Sequence, residues 1–109
     1  MRRLLAILLS STLVVQIGAT ALAGGHYTAV DLGTLGGGHS LATAINTAGQ
    51  ATGWSVTAGG SAHAFRWDPA TGMADLGTLG GSTSFGEAIN AAGQVTGYSD
   101  NADSFQHAF

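Results

Sequence analysis

The stretch DLGTLGG at residues 31–37 decides how the rest of the chain is read, because the same seven letters return at residues 75–81, 44 positions later. A glycine-laden phrase near a strand end can be a phosphate-cradling loop, or it can be a part of a structure made by copying. The spacing argues for copying. Sliding the sequence by 44 aligns residues 31–65 with 75–109 without a gap, and 21 of those 35 pairs are identical, among them A-I-N-x-A-G-Q, T-G-x-S and H-A-F. A fixed period of this length is the mark of a repeat architecture, in which each supersecondary unit buries its face against a neighbour.

The local signals inside a unit are all β. HAFRW at residues 63–67 alternates, placing His63, Phe65 and Trp67 on one face and Ala64 and Arg66 on the other. In DPATG, Asp68 and Pro69 suit the first two positions of a type I turn, and Gly72 can take the left-handed conformation that closes a hairpin onto a return strand, MADLG. GEAIN and QVTGYS flank NAAGQ, where Gly93 is the natural left-handed residue of a second hairpin. ATGWSV and VTGYSD read as equivalent strands in the two units. Four short strands per unit match the period of about 40–45 residues seen in four-stranded propeller blades. No segment after residue 23 shows sustained helical periodicity. The expected fold is therefore all-β, built of tandem four-stranded antiparallel units of propeller-blade type. About two are present: residues 31–74 form the first and residues 75–109 the second, incomplete one. In this reading YTAVDLG at residues 27–33 is the second strand of a preceding unit, and Phe109 falls early in the first strand of a following one. The expectation is an N-terminal fragment of a longer repeat protein, with a natural two-unit protein that assembles with other copies as the alternative.

The first residues speak of export. Met1, Arg2 and Arg3 make a short basic start, residues 4–15 are an apolar run interrupted by Ser10, Ser11 and Thr12, and Ala21 and Ala23 offer small residues at both cleavage-determining positions. That is the layout of a secretory signal peptide over residues 1–23, cut after Ala23 to leave residues 24–109. The apolar core is short against the roughly 20 residues of a spanning helix, so no stable membrane anchor is expected after cleavage. Localisation is expected to be extracellular or periplasmic. Without Arg2 and Arg3, Arg66 is the only strong base, and a surface with one cation cannot neutralise a phosphate backbone. Nucleic acid is thereby excluded as a partner. With no cysteine, disulfides cannot compensate for a thin core, so stability must come from stacking units or from association.

DLGTLGG, A-I-N-x-A-G-Q-x-T-G-x-S and HAFRW together resemble the HAF repeat, an extracellular repeat found in many copies in bacterial exported proteins. The resemblance runs from Tyr27 to Phe109. It implies secretion and tandem β-rich units, and it implies no assigned biochemical activity. The chain departs from the pattern in copy number and in lacking W-D-P-x-x-G after its second H-A-F.

Each candidate site has a structural reading beside the functional one. Gly36, Gly37, Gly38, Gly80 and Gly81 lack the strand-to-helix context and the lysine of a phosphate loop, and read as a tight passage between strands. His63 and His107 recur at one place in the unit, which suits packing and a bond to a neighbouring loop carbonyl better than metal ligation, and His26 and His39 have no counterparts. Asp31 and Asp75 recur at a strand end and read as acceptors for backbone amides of an adjacent turn. No serine sits in a G-x-S-x-G elbow, so no catalytic residue is assigned and the chain is expected not to be an enzyme. Trp54 and Tyr98 are equivalent aromatics: they fill the space between neighbouring sheets or present one ring per unit for saccharide stacking. Asp100, Asn101 and Asp103 in SDNADS group oxygen ligands as a calcium loop does, without the bidentate glutamate of a known loop type. No cofactor is expected. The partner expected is an extracellular protein or glycan, with self-association through exposed strand edges.

Overall fold

Seven strands follow the turn chemistry read above. The computed structural model describes residues 26–109. The signal peptide assigned to residues 1–23 lies outside the described residues. The chain divides into Met1–Asp31 and Leu32–Phe109; of the first, residues 26–31 are described and carry no strand or helix. Within the second unit the strands are β1 (Gly36–Ile45), β2 (Ala51–Thr57), β3 (Ala62–Asp68), β4 (Gly72–Asp75), β5 (Gly80–Ile89), β6 (Val95–Asn101) and β7 (Gln106–Ala108). All pairs are antiparallel, in a four-stranded sheet β1-β2-β3-β4 and a three-stranded sheet β5-β6-β7. The described residues are all-β, with no helix.

The two sheets share one register. Ser40 pairs with Ser55, Leu41 with Trp54 and Ala42 with Gly53, and the second sheet repeats these as Ser84 with Ser99, Phe85 with Tyr98 and Gly86 with Gly97. The register shifts recur as well, after Gly36 and Ala42 in β1 and after Gly80 and Gly86 in β5.

The β1–β2 and β5–β6 hairpins close by the same device. Asn46 Oδ1 accepts Ala48 N–H (3.0 Å) and Gln50 N–H (2.9 Å), and Asn90 Oδ1 accepts Ala92 N–H and Gln94 N–H at 3.0 and 2.9 Å. An asparagine oxygen that replaces a backbone acceptor is what makes N-x-A-G-Q a turn. Gly93 takes φ +81°, as its place in the turn requires, and Gly72 closes the β3–β4 hairpin at φ +86°.

Two readings are corrected. HAFRW and MADLG share a sheet with the strands before them, and the sheet boundary falls between Asp75 and Gly80. The reason is local: TAGGS at residues 57–61 is itself a hairpin turn, with Thr57 N–H donating to Ser61 O and Gly60 N–H to Thr57 O. That turn joins β2 to β3 in register. Likewise H-A-F at residues 107–109 does not begin another sheet; β7 is the third strand of the second one. YTAVDLG, residues 27–33, forms no strand.

The interior is small and rich in hydroxyls. Ala51, Ala64 and Phe65 are buried, and beside them lie the buried Thr52, Ser55, Ser84 and Ser99. Buried hydroxyls are tolerable only when bonded. Thr52 Oγ1 donates to Phe65 O at 2.6 Å, and Ser55 Oγ and Ser99 Oγ accept Leu35 N–H and Leu79 N–H, each at 2.8 Å. Each such bond contributes about 1 kcal/mol net.

Candidate functional site

The richest constellation is the joint between the sheets, where β5 packs on β1, β2 and β3. Thr43 Oγ1 donates to Gly86 O at 2.8 Å and Asn46 Nδ2 donates to Asn90 O at 2.9 Å. Ala64 N–H donates to Ser84 Oγ at 2.8 Å, and the Arg66 guanidinium reaches Gly93 O at 3.2 Å. These bonds run from the side chains or edge amide of one sheet to backbone or hydroxyl acceptors of the next. Gly86 makes the close approach possible: a Cβ there would lie 2.3 Å from Thr52 Oγ1 and 2.9 Å from Gly53 O.

The aromatic candidates meet through a third ring. Phe85 lies edge-on to Trp54, with centroids 5.9 Å apart and planes at 70°, and stacks on Tyr98 at 5.2 Å and 28°. Phe85 stands at the position of Leu41 in the first unit, so the sequence repeat alone does not flag it. Offset and edge-on pairs of this kind add about 0.5–1.5 kcal/mol each beyond area burial.

His63 does not bond a loop carbonyl as the sequence suggested. Its Nδ1 lies 3.0 Å from both carboxylate oxygens of Asp75, because Ala64 and Phe65 on β3 run beside Asp75 on β4. Asp75 also accepts Gly77 N–H at 2.7 Å, the backbone-amide role expected of it. Ser55 faces His63 across the β2–β3 register but uses its oxygen to accept Leu35 N–H, so the serine, histidine and aspartate form no relay. His107, in the equivalent place, is exposed.

Around Asp100, Asn101 and Asp103 the oxygens serve the turn. Asp100 Oδ2 accepts the Thr83 hydroxyl at 2.7 Å, and Asn101 Oδ1 accepts both Asp103 N–H and Phe105 N–H at 2.9 Å. This is the asparagine turn again, with Ser104 at φ +67° where the first unit has Gly60. Among the described residues no group of three or more His, Cys, Asp or Glu is placed to hold a metal ion.

Asp68 is held by two hydrogen bonds near the first hairpin turn. Gln50 Nε2 donates to Asp68 Oδ2 at 2.9 Å and Ala70 N–H to Asp68 Oδ1 at 2.8 Å, and these bonds, the Gln50 one foremost, hold its pKa below the ordinary 3.8. Arg66 adds a smaller attraction. Sequence reading missed Arg66 and Ser84 as joint residues; the serine pairs Ser40/Ser84 and Ser55/Ser99, kept at the 44-residue step, were the available signal.

No protein-family model, curated protein or solved structure matches the chain. No helix among the described residues is long and apolar enough to cross a membrane.

Proposed function

We propose that the chain is an exported, non-catalytic β-repeat protein of HAF type, whose blade-like sheets present a low-charge surface for extracellular interaction. The observation that supports this reading most is the use made of the recurring polar residues. Ser55 and Ser99, Thr52 and Thr96, Asn46 and Asn90 all bond backbone groups in the same way in both units. A residue type repeated because each copy must be built is structural, and the chemistry of the unit is then assembly and contact. The blade-like arrangement is part of the proposal and draws on the register shared by the two sheets and on the hydrogen bonds between them.

Two measurements test it. N-terminal sequencing of the product released from expressing cells should begin at Gly24; product retained in the cell with residues 1–23 intact would overturn the export. Fluorescence of a Trp67→Phe chain, in which Trp54 reports alone, is titrated with a panel of glycans. A flat response fits a protein-contact surface. A saturable response abolished by Tyr98→Ala would replace this reading with saccharide stacking on Trp54 and Tyr98.

A further inference from the structure

Pro69 is the only proline in the chain, and it follows an aspartate. The pair matters chemically because the amide nitrogen of proline is tertiary and carries no hydrogen. It cannot close on the aspartate side chain as an ordinary following amide can, and once protonated it leaves readily as an amine. The route left to the carboxyl is attack on its own main-chain carbonyl. The β3–β4 turn sets out the parts of that reaction. Thr71 N–H donates to the Asp68 carbonyl oxygen at 3.2 Å. That is the oxygen that takes up charge when its carbon is attacked. Pro69, Ala70 and Thr71 are exposed, so water reaches the bond.

The same fold holds the attacking group still. Ala70 N–H donates to Asp68 Oδ1 at 2.8 Å and Gln50 Nε2 to Asp68 Oδ2 at 2.9 Å, one donor on each carboxylate oxygen. Gln50 is itself fixed. Its Oε1 accepts Asn46 Nδ2 at 2.8 Å, and that nitrogen also donates to Asn90 O of the second sheet at 2.9 Å. Gly93 closes over it: a Cβ there would lie 2.9 Å from Gln50 Oε1. The grip on Asp68 is therefore wired to the seating of the β5–β6 hairpin. Among the described residues Arg66, on the same strand, is the charged group that acts on Asp68. The bonds from Gln50 and Ala70, with Arg66 behind them, favour the ionised carboxyl. The grip thus holds above the lowered folded pKa and is lost as pH falls through it.

We infer that the β3–β4 turn is a latched self-cleavage site: in acid, or when the second sheet leaves Gln50, the Asp68 carboxyl cuts its own peptide bond to Pro69. A carboxyl oxygen attacks the Asp68 carbonyl carbon and forms the C–O bond of a cyclic anhydride. The C–N bond to Pro69 breaks, and its electron pair takes the carboxyl proton, leaving proline as a secondary amine at a new N-terminus. One water then opens the anhydride, which becomes the side-chain and terminal carboxyls of Asp68. No other reactant enters.

The cut leaves the sheets together. β4 still pairs with β3 across the break. The bonds of Ala64 to Ser84, Thr43 to Gly86, Asn46 to Asn90 and Arg66 to Gly93 all join residues before the cut to residues after it. A seated joint therefore slows the cut and retains both pieces, and an open joint does neither.

The full chain is held in a series of acidic buffers over the range where circular dichroism shows the fold intact, and again in urea at each pH. Cleavage is read by denaturing electrophoresis and intact mass. Two pieces are expected, one ending at Asp68 and one beginning at Pro69, and the folded chain should need a lower pH than the unfolded one to reach the same rate. Gln50→Ala should quicken cleavage of the folded chain by about two- to tenfold and leave the rate in urea unchanged. Pro69→Ala keeps the carboxyl, replaces the leaving group and should stay whole. In native mass spectra the cut chain should travel as one body, heavier than the uncut one by a water. Cleavage elsewhere, no cleavage, or coincident profiles for the folded chain and the chain in urea overturns the site. That comparison decides even where Gln50→Ala does not fold. The export and glycan readouts of the proposed function stand apart from every one of these results.

Discussion

Gly86→Ala should be among the most damaging single-methyl changes in the molecule. The added Cβ would lie 2.3 Å from Thr52 Oγ1, roughly 1 Å inside carbon–oxygen contact, and 2.9 Å from Gly53 O. Neither neighbour can retreat freely. Thr52 is fully buried and its hydroxyl is committed to Phe65 O at 2.6 Å, while moving β5 away breaks the Thr43 bond to Gly86 O. Overpacking of this kind costs about 1–3 kcal/mol. Turning the Thr52 hydroxyl away instead strands a buried acceptor, at about 1–3 kcal/mol. Replacing glycine recovers about 0.5–1 kcal/mol of chain entropy. The net expectation is about 1–2 kcal/mol, a sizeable share of the 5–15 kcal/mol of an ordinary domain and a fall of about 5–15 °C in Tm. Thermal and urea melts followed by circular dichroism read it directly. Thr52→Ala in the same chain makes room for the methyl, so the double variant should lose at least about 1 kcal/mol less than the two singles combined. A Gly86→Ala chain melting within about 2 °C of the unmodified one would show that the sheets do not meet as described.

Ser104 occupies a left-handed turn position at φ +67°, so Ser104→Gly should stabilise the chain by about 0.5–1 kcal/mol in a urea melt, whereas Gly60→Ser in the equivalent turn should destabilise it by a similar amount. Thr52→Val leaves the buried Phe65 carbonyl without its donor and should cost about 1–3 kcal/mol; Thr96→Val, the exposed equivalent bonded to Phe109 O, should cost clearly less in the same assay. Asp68 has a folded pKa below 3.8, so its bonds to Gln50 and Ala70 stabilise the fold above that pH and are lost as pH falls through the folded value. Comparing melting temperatures of the unmodified chain and Asp68→Asn from neutral pH downward should show the gap closing in the acid range. A gap that widens there would reverse the sign of the argument.

The sequence alone determined the unit. The 44-residue step, the asparagine turns and the alternating strands are local or strictly periodic, so DLGTLGG, N-x-A-G-Q and H-A-F were legible as a connector, a hairpin and a strand. What it left open was which strands share a sheet. A repeat can be cut at any phase without changing its period, and only the register from TAGGS onward assigns HAFRW to the strands before it. The joint was hidden for a related reason. Arg66 to Gly93, Ser84 to Ala64 and Phe85 between Trp54 and Tyr98 join residues distant in the chain, which no local pattern or period brings together. The sequence also offered Gly86 as one glycine among 18. Tertiary structure singles it out, because the cost of a Cβ is set by the Thr52 hydroxyl of the other sheet and not by anything within its own strand. Periodicity fixes what is copied; the distance between copies is fixed by the smallest residue at the joint.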